Sequence, residues 1–592
     1  MKKKGFYFSL ITLIFAINTV HAESKFEQIV VTPSKRSSTI FESLKSVEII
    51  TQDEIQTYGY RTTDEILDSS SSISIGSNGG FGQTKSIFLR GTESNHTKVL
   101  LNGVELNPGT LGVPPIQHIS PRMISRIEIV KGSMSTLYGR DTIGGIINII
   151  TKQNDHKLDS EISVSSGRFN TNGIDFFKEF SIDSHSFNLN YSDVQSDSFK
   201  AKVTSSKDHA YKNKNISLNY NYGLENAKFS INYYQSDGNT EYDSYGSNLS
   251  QDHKDTLIKS SWVEQFNDSM TKIIFIDKEN KIDQAAPSAT DYTHTKINQL
   301  TVEKHYYNFF ETDSIFGFTY TDESLYELSY GTSFRKSYDI KELFFHSEYF
   351  PTLRSNIHFG SRYINHPKYG DYLTGTVNIG YLINKNLHIT GGIGKSFRPP
   401  DGTDLFGYGG NENLNPEESV SSEIFLKYRL PSKNNFTALL FNNDISNLIE
   451  SDGSTMQNIN KARITGIEIG YSGIFEAINF SFDYTYQEAD DLTNDTLLSR
   501  RPRNKMTGKL SYDIDAKNKV GLTIVGESKR DNSIYDYNRL GGYLLFNLNY
   551  LHKFNDYSIA VRANNLLNKK HRKAYDYNAE GSSIYMSLIT NF

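Results

Sequence analysis

From about residue 160 onward, apolar and polar positions alternate with a period of two. Phe187, Leu189 and Tyr191 alternate in "SFNLNYS"; Ile216, Leu218, Tyr220 and Tyr222 do so in "ISLNYNY"; Phe480, Phe482, Tyr484 and Tyr486 do so in "NFSFDYTY". Successive strand side chains point to opposite faces, so each run predicts a strand with one apolar face. Polar, Gly- and Asn-rich turns and long loops separate the runs, with no helical interlude. About 430 residues of this texture exceed an ordinary soluble domain. At about 20 residues per strand and connection they predict a transmembrane β-barrel of about 22 antiparallel strands, the size class that encloses a plugged lumen. The final run, "GSSIYMSLITNF", alternates Ile584, Met586, Leu588 and Thr590 and ends in register on Phe592. The closing segment is accordingly assigned Tyr575, Ile584, Met586, Leu588 and Phe592.

Between about Ser37 and Lys152 the pattern is different. Thr51 with Glu54, and Thr62 with Glu65, make two capping boxes that open short helices. The apolar runs "KSIFLRG", "KVLLNGVEL", "RIEIVKG" and "GGIINIITK" predict strands, so a compact α/β domain precedes the barrel and is expected inside its lumen. Ahead of it lies "EQIVVTPSKR". Ile29, Val30, Val31 and Thr32 have high β propensity and sit where a chain is ordinarily disordered. Such a segment suits addition to the sheet edge of a partner, with Pro33 limiting the pairing because it lacks an N–H. Ser34, Lys35 and Arg36 are expected to keep the tether soluble and the segment free to reach away from the domain.

Composition adds the compartment. Lys2, Lys3 and Lys4, the apolar stretch Phe6 to Ile17 and the small-residue site Val20-His21-Ala22 predict a signal peptide over 1–22, removed at about Glu23. No later stretch reaches 18 consecutive apolar residues, so no transmembrane helix is predicted. Aromatics make up 13%, with 38 Tyr and 36 Phe against one Trp, which fits aromatic girdles at the two edges of a membrane barrel. The absence of Cys excludes a disulfide framework, thiol catalysis and thiolate metal sites together. A net charge of -6 argues against a nucleic-acid partner. There is no G-x-x-x-x-G-K-[ST], H-E-x-x-H or G-x-S-x-G motif. The protein is therefore expected to be a non-enzyme, and energy for moving a ligand past the plug must come from a partner. A passive porin is disfavoured by the plug segment, and a barrel enzyme has no motif to support it.

"IFLRGTESNHTKVLLNGVELN" (Ile87 to Asn107), "RIEIVKGSMSTLYGRDTIGGIINIITK" (Arg126 to Lys152), "ANNLLNKKH" and the final strand resemble the TonB-dependent outer-membrane receptor family. The resemblance covers essentially the whole mature chain, with Asn102 in place of the usual Asp and Ser133 in place of a common Pro. It implies a monomer in the bacterial outer membrane, in contact with its lipid. The implied organisation is an N-terminal segment at 23–36, a plug at 37–152 and a barrel at 153–592. Glu27, Gln28, Ile29, Val30, Val31, Thr32 and Pro33 would form the TonB box, the handle for TonB and its inner-membrane energising complex. A periplasmic binding protein would take the ligand onward.

Five stretches resemble the cobalamin-transporting branch of that family: "VVTPSKR", "SNGGFGQTKSIFLRGT", "GRDTIGGIINIITK", "DLFGYGGNENLNPEES" and "NKARITGIEIGYSG". A ferric siderophore or another metal chelate is the alternative cargo. Haem is disfavoured, because iron wants an axial imidazole and Phe397 to Leu414 contains no His. The resemblance implies cobalamin contacts from Thr84, Ser86, Glu93, Leu111, Gly112, Ser244, Thr293, Arg500 and Tyr535. It also implies Ca²⁺ in the extracellular loops, bound by Asp197, Asp208, Tyr242, Asp243, Asp252 and Asp255. Ala210 stands where a further Asp is expected, with Lys207 nearby, which implies weaker binding or one ion fewer.

Overall fold

The computed structural model describes residues 25–153, 160–286, 290–451, 453–533 and 538–592. The leader 1–22 and Tyr535 lie outside them. The alternating segments close into one antiparallel barrel of 22 strands, each hydrogen-bonded to its neighbours in sequence order, from Ser160–Gly167 to Ser583–Asn591. A two-residue strand, Thr496–Leu497, caps the strand Ile478–Asp491 in the connection that follows it. The first and last strands pair, with Glu161 opposite Asn591 and Gly167 opposite Tyr585. Closure leaves no unpaired edge.

The alternation is inside-out relative to a soluble sheet. In the strand His185–Ser196, the polar residues Asn188, Asn190 and Ser192 are buried, while Phe187, Leu189 and Tyr191 stay partly exposed. Asn213, Asn215, Ser217 and Asn219 are buried in the same way, whereas Ile273, Phe275, Phe318, Ile379, Ile424 and Leu440 are exposed outward. An apolar outer belt around a polar interior is a wall built to face lipid. No helix among the described residues is long and apolar enough to cross a membrane.

The two rims differ. One carries short turns such as 183–184, 310–311 and 476–477, while the other carries the long connections 197–210, 399–416, 528–542 and 565–582. Phe592 follows the last strand at the short-turn rim, with Ile584, Met586 and Leu588 on that strand's outer face. Tyr575 does not belong to the closing strand. It lies in the 565–582 connection at the opposite rim, where its N–H donates to Asn532 Oδ1 at 3.0 Å. The preceding strand ends at Asn564, because Asn565 next to it takes a left-handed turn into the connection.

The plug fills the lumen. Its five-stranded sheet runs in the order Val47–Thr51, Ile124–Lys131, Gly145–Thr151, Thr97–Leu101, Val104–Glu105. Ile50, Ile66, Leu89, Val99, Ile127 and Ile147 lie in its core. Thr51 and Glu54 form a reciprocal capping box on the helix Gln52–Tyr58. The second box is only half formed. Thr62 caps Glu65, but the Glu65 carboxylate turns to the Arg61 N–H and guanidinium instead. The run predicted as one strand, "KVLLNGVEL", is split by a two-residue hairpin at Asn102 and Gly103, both with positive φ. The side chain of Asn102 also bonds Thr151 from that turn.

Because the outer face takes the apolar residues, the lumen face must hold the plug with polar groups. Arg90 pairs with Glu468 at 2.8 Å and Glu423 at 3.0 Å, and Lys131 reaches Glu468 at 3.1 Å. Lys505 and Lys573 share Asp68. The Arg362 guanidinium donates to the carbonyls of Thr136 and Leu137. Desolvation offsets most of the attraction in such buried pairs. A plug held this way is specific in position yet separable from its wall.

Candidate functional site

Two regions carry chemistry, one at each rim. At the short-turn rim the predicted handle is docked rather than free. Ile29–Val30 pairs with Ser38–Thr39, and Phe41 N–H donates to Phe26 O at 3.2 Å. The Glu128 carboxylate accepts from the N–H groups of Val31 at 3.2 Å and Thr32 at 3.0 Å. Tyr138 Oη donates to Thr32 O at 3.0 Å. Phe26 and Val30 are buried against the plug, while Ile29 is 60% exposed. The backbone groups that strand addition needs are thus already engaged. Lys35 and Arg36 do not serve as solubilisers. Lys35 pairs with Glu303, and Arg36 with Asp313 and with Glu348 at 3.0 Å, pinning the tether to the barrel wall. Burial pulls the Lys35 ammonium below its ordinary value, against the raising effect of Glu303.

At the long-loop rim the plug segment 107–112 meets the connection 399–416. Gly402 and Thr403 N–H donate to the carbonyls of Gly109 and Thr110 at 2.8 Å each. Thr110 is also held by Thr295 Oγ1 at 3.1 Å. Gly112 has φ of +68°, and a Cβ there would lie 2.8 Å from Asn95 and from Asp401, so only glycine permits this approach.

Behind this contact sits a buried cluster. Arg398 donates to Glu417 at 2.6 Å, Asp401 at 2.9 Å and Asp404 at 2.8 Å. His96 Nδ1 accepts from Glu93 N–H at 3.3 Å, which leaves Nε2 to donate to Glu417 at 2.9 Å. Burial and the neighbouring Asp404 push the Asp401 carboxyl well above the usual carboxylate range. Burial likewise raises Asp141 to about 6, although Arg140 beside it pulls the other way. The cluster ties the 399–416 connection to the barrel wall through Arg398, and His96 links Glu417 to the plug. Its signal in the sequence is the spacing R-x-x-D-x-x-D at 398, 401 and 404.

The expected ligand contacts are distributed unevenly. Leu111, Gly112 and Thr293 gather around the 107–112 segment, with Thr293 on the same strand face as Thr295. Glu93 adjoins them, but its carboxylate is taken by Arg501. Arg500 stands next to that pair in a left-handed turn. Thr84 is exposed and Ser86 half-buried on the Lys85–Leu89 side of the plug, and Ser244 ends the strand Ala227–Ser244. Among the described residues no hydrogen bond joins these three to the 107–112 segment.

The expected Ca²⁺ ligands do not form a cage. Tyr242 and Asp243 are consecutive in a strand and point to opposite faces, as do Asp252 and Asp255. Asp255 is buried against Asn280, while Asp197, Asp208 and Asp252 are exposed. Asp243 is satisfied by Ser205 at 2.8 Å, by Gly246 N–H at 3.0 Å and by Lys202 at 3.6 Å, so an ammonium supplies its positive charge. Among the described residues no three of these carboxylates converge. Ca²⁺ needs six to eight converging oxygens, and this set does not fit it. Excess EGTA is therefore expected to leave ligand affinity unchanged in an equilibrium binding measurement. A loss of about tenfold or more would contradict the Lys202 reading.

The TonB-dependent Receptor Plug Domain family matches residues 39–146, and the TonB dependent receptor-like β-barrel family matches residues 153–566. The chain is 23% identical to a vitamin B12 transporter BtuB of Vibrio vulnificus and 24% identical to one of Vibrio cholerae, each over 100% of both chains. Its fold is similar to that of the siderophore receptor PirA from Acinetobacter baumannii, with a TM-score of 0.81 and 16% identity over 92% of this chain and 98% of that one. It is similar also to the ferric-catecholate import receptor Fiu from E. coli, with a TM-score of 0.81 and 15% identity over 96% and 100%. With the plug seated in the closed barrel and both parts matched in order, the chain belongs to the TonB-dependent receptor family, outer-membrane receptors and transporters that bind a ligand and work with TonB.

Proposed function

We propose that this receptor takes up a corrinoid, cobalamin in the first instance, at its long-loop rim. The short-turn rim faces the periplasm, following the usual asymmetry of outer-membrane barrels. The observation that carries the proposal is the neutralised pair of arginines beneath the 399–416 connection. The cavity beneath the 399–416 connection is walled by Asn107, Gly112, Arg140, Tyr338, Tyr369 and Arg398. Both guanidiniums are occupied, Arg140 by Glu323 at 2.8 Å and Arg398 by its three carboxylates. An anionic ferric chelate calls for unneutralised cations. A corrin is a broad disc fringed with neutral amides, which suits polar groups set over tyrosine faces. The end-to-end likeness to two vitamin B12 transporters supports the same reading.

A cavity of about 260 Å³ runs between plug and wall, from Phe81 and Gln117 toward Lys553 and Asn591. It is too narrow for a corrinoid, so passage requires the plug to rearrange. The residues assigned here perform no covalent step; they bind, orient and release. Cyanocobalamin titrated into purified protein is expected to bind with Kd below about 1 μM. No cyanocobalamin binding, together with tight binding of a ferric tricatecholate, would replace this reading with siderophore import, the cargo class of the structural neighbours.

A further inference from the structure

Near the periplasmic rim, the adjacent strands Thr332–Thr352 and Ser355–His366 present three ligand-type side chains to the lumen. Glu348 and His358 are directly opposed in the ladder. His346 stands two residues from Glu348 on the same face, opposite Gly360, which has no side chain to crowd it. Glu348 Oε1 is 3.8 Å from His346 Nε2 and 3.9 Å from His358 Nδ1, and the ligand atoms of all three lie within 4.8 Å of one another.

His346 is 4% exposed and Glu348 6%. Neither ring nitrogen of His346 has a hydrogen-bond partner, and neither does Glu348 Oε1. Buried polar atoms are nearly always satisfied, so three orphans in one cluster indicate a missing partner. Zinc bonds of about 2.0–2.2 Å place ligand atoms roughly 3.3 Å apart, a closure of about half an ångström for each of the two Glu348–histidine separations. A cavity of about 950 Å³ opens beside the cluster and leaves room for a water in the fourth position. Two imidazoles and one carboxylate favour a first-row divalent ion over Ca²⁺ or Mg²⁺.

The second oxygen of Glu348 accepts from Arg36 at 3.0 Å. We propose that His346, Glu348 and His358 bind Zn²⁺ or a similar first-row divalent cation, and that this cation shares Glu348 with Arg36. An ion here draws on the carboxylate that holds the tether behind Pro33, so occupancy loosens one of the contacts that pin it. The inference is independent of the cobalamin reading.

The test uses the full-length protein in detergent, purified without a histidine tag and stripped of metal. Zn²⁺ affinity is measured by competition with a chromogenic chelator, and heat-modifiable gel mobility reports that each variant is folded. Wild type is expected to bind one Zn²⁺ at least about tenfold more tightly than the His346→Ala/His358→Ala variant. Arg36→Ala, which removes a competing cation without touching a ligand, is expected to tighten binding several-fold. Equal affinity and stoichiometry in wild type and the double-histidine variant overturns the site. Unchanged affinity in Arg36→Ala overturns the sharing of Glu348. Displacement of the Zn²⁺ by millimolar Ca²⁺ overturns the assigned metal class.

Discussion

Deleting Glu27 to Pro33 is expected to abolish energised uptake while leaving ligand affinity at the outer rim within about twofold of wild type, since the two regions lie at opposite rims of the barrel. TonB-dependent receptors work with TonB, and the proposed handle is the expected point at which force enters. Before it can pair with TonB, the handle must undock. Undocking exposes Phe26 and Val30, at about 1.5–3 kcal/mol each, and releases the hydrogen bonds made by Val31 and Thr32. Strand addition to the partner's sheet repays this through new main-chain bonds. Glu128 sets the balance, because one carboxylate oxygen accepts both N–H groups. Glu128→Ala removes charge-assisted bonds worth about 1.5–3 kcal/mol and is expected to strengthen binding of a TonB C-terminal fragment by roughly tenfold or more. A fragment affinity indifferent to Glu128 would mean that docking does not govern access.

The second large effect falls on Arg398. Replacing it by Ala leaves Glu417 and Asp404 without their cation in a buried site, a class of change that costs about 3–5 kcal/mol. The barrel has its own closed hydrogen-bonded ladder and is expected to keep its folded gel mobility. The loss should appear locally instead, as detachment of the 399–416 connection from the plug. Ligand affinity is expected to fall by roughly 100-fold or more, and the connection to become sensitive to protease. Arg398→Lys should recover only part of the affinity, since one ammonium lacks the fork with which the guanidinium reaches three carboxylates. Wild-type affinity in Arg398→Ala would remove the cluster from the ligand site.

Much of this architecture was legible in the chain because a period of two needs no partner to be seen. The alternation in "ISLNYNY" or "NFSFDYTY" gave strands, and their number gave the barrel. What it could not give was which contacts distant segments would make. The docking of Ile29 to Thr32 depends on Glu128, about a hundred positions away, and on Lys35 and Arg36 finding carboxylates on the wall. His346 and Glu348 stand two apart and so visibly share a face. His358 joins them only because the turn at 353–354 sets Glu348 opposite it. The misplacement of Tyr575 came from extending the closing segment back across 576–582, where Asp576 takes a left-handed turn and no alternation holds. In the calcium set, Tyr242 and Asp243 are consecutive in a strand and diverge to opposite faces.

The most direct test of cobalamin import driven from the periplasm is accumulation of labelled cyanocobalamin in cells that lack their own cobalamin receptor and express this chain. Saturable accumulation that disappears when TonB is removed, while surface binding persists, is the expected result. Cells that bind and accumulate none with TonB present, or that accumulate it equally without TonB, would contradict the account.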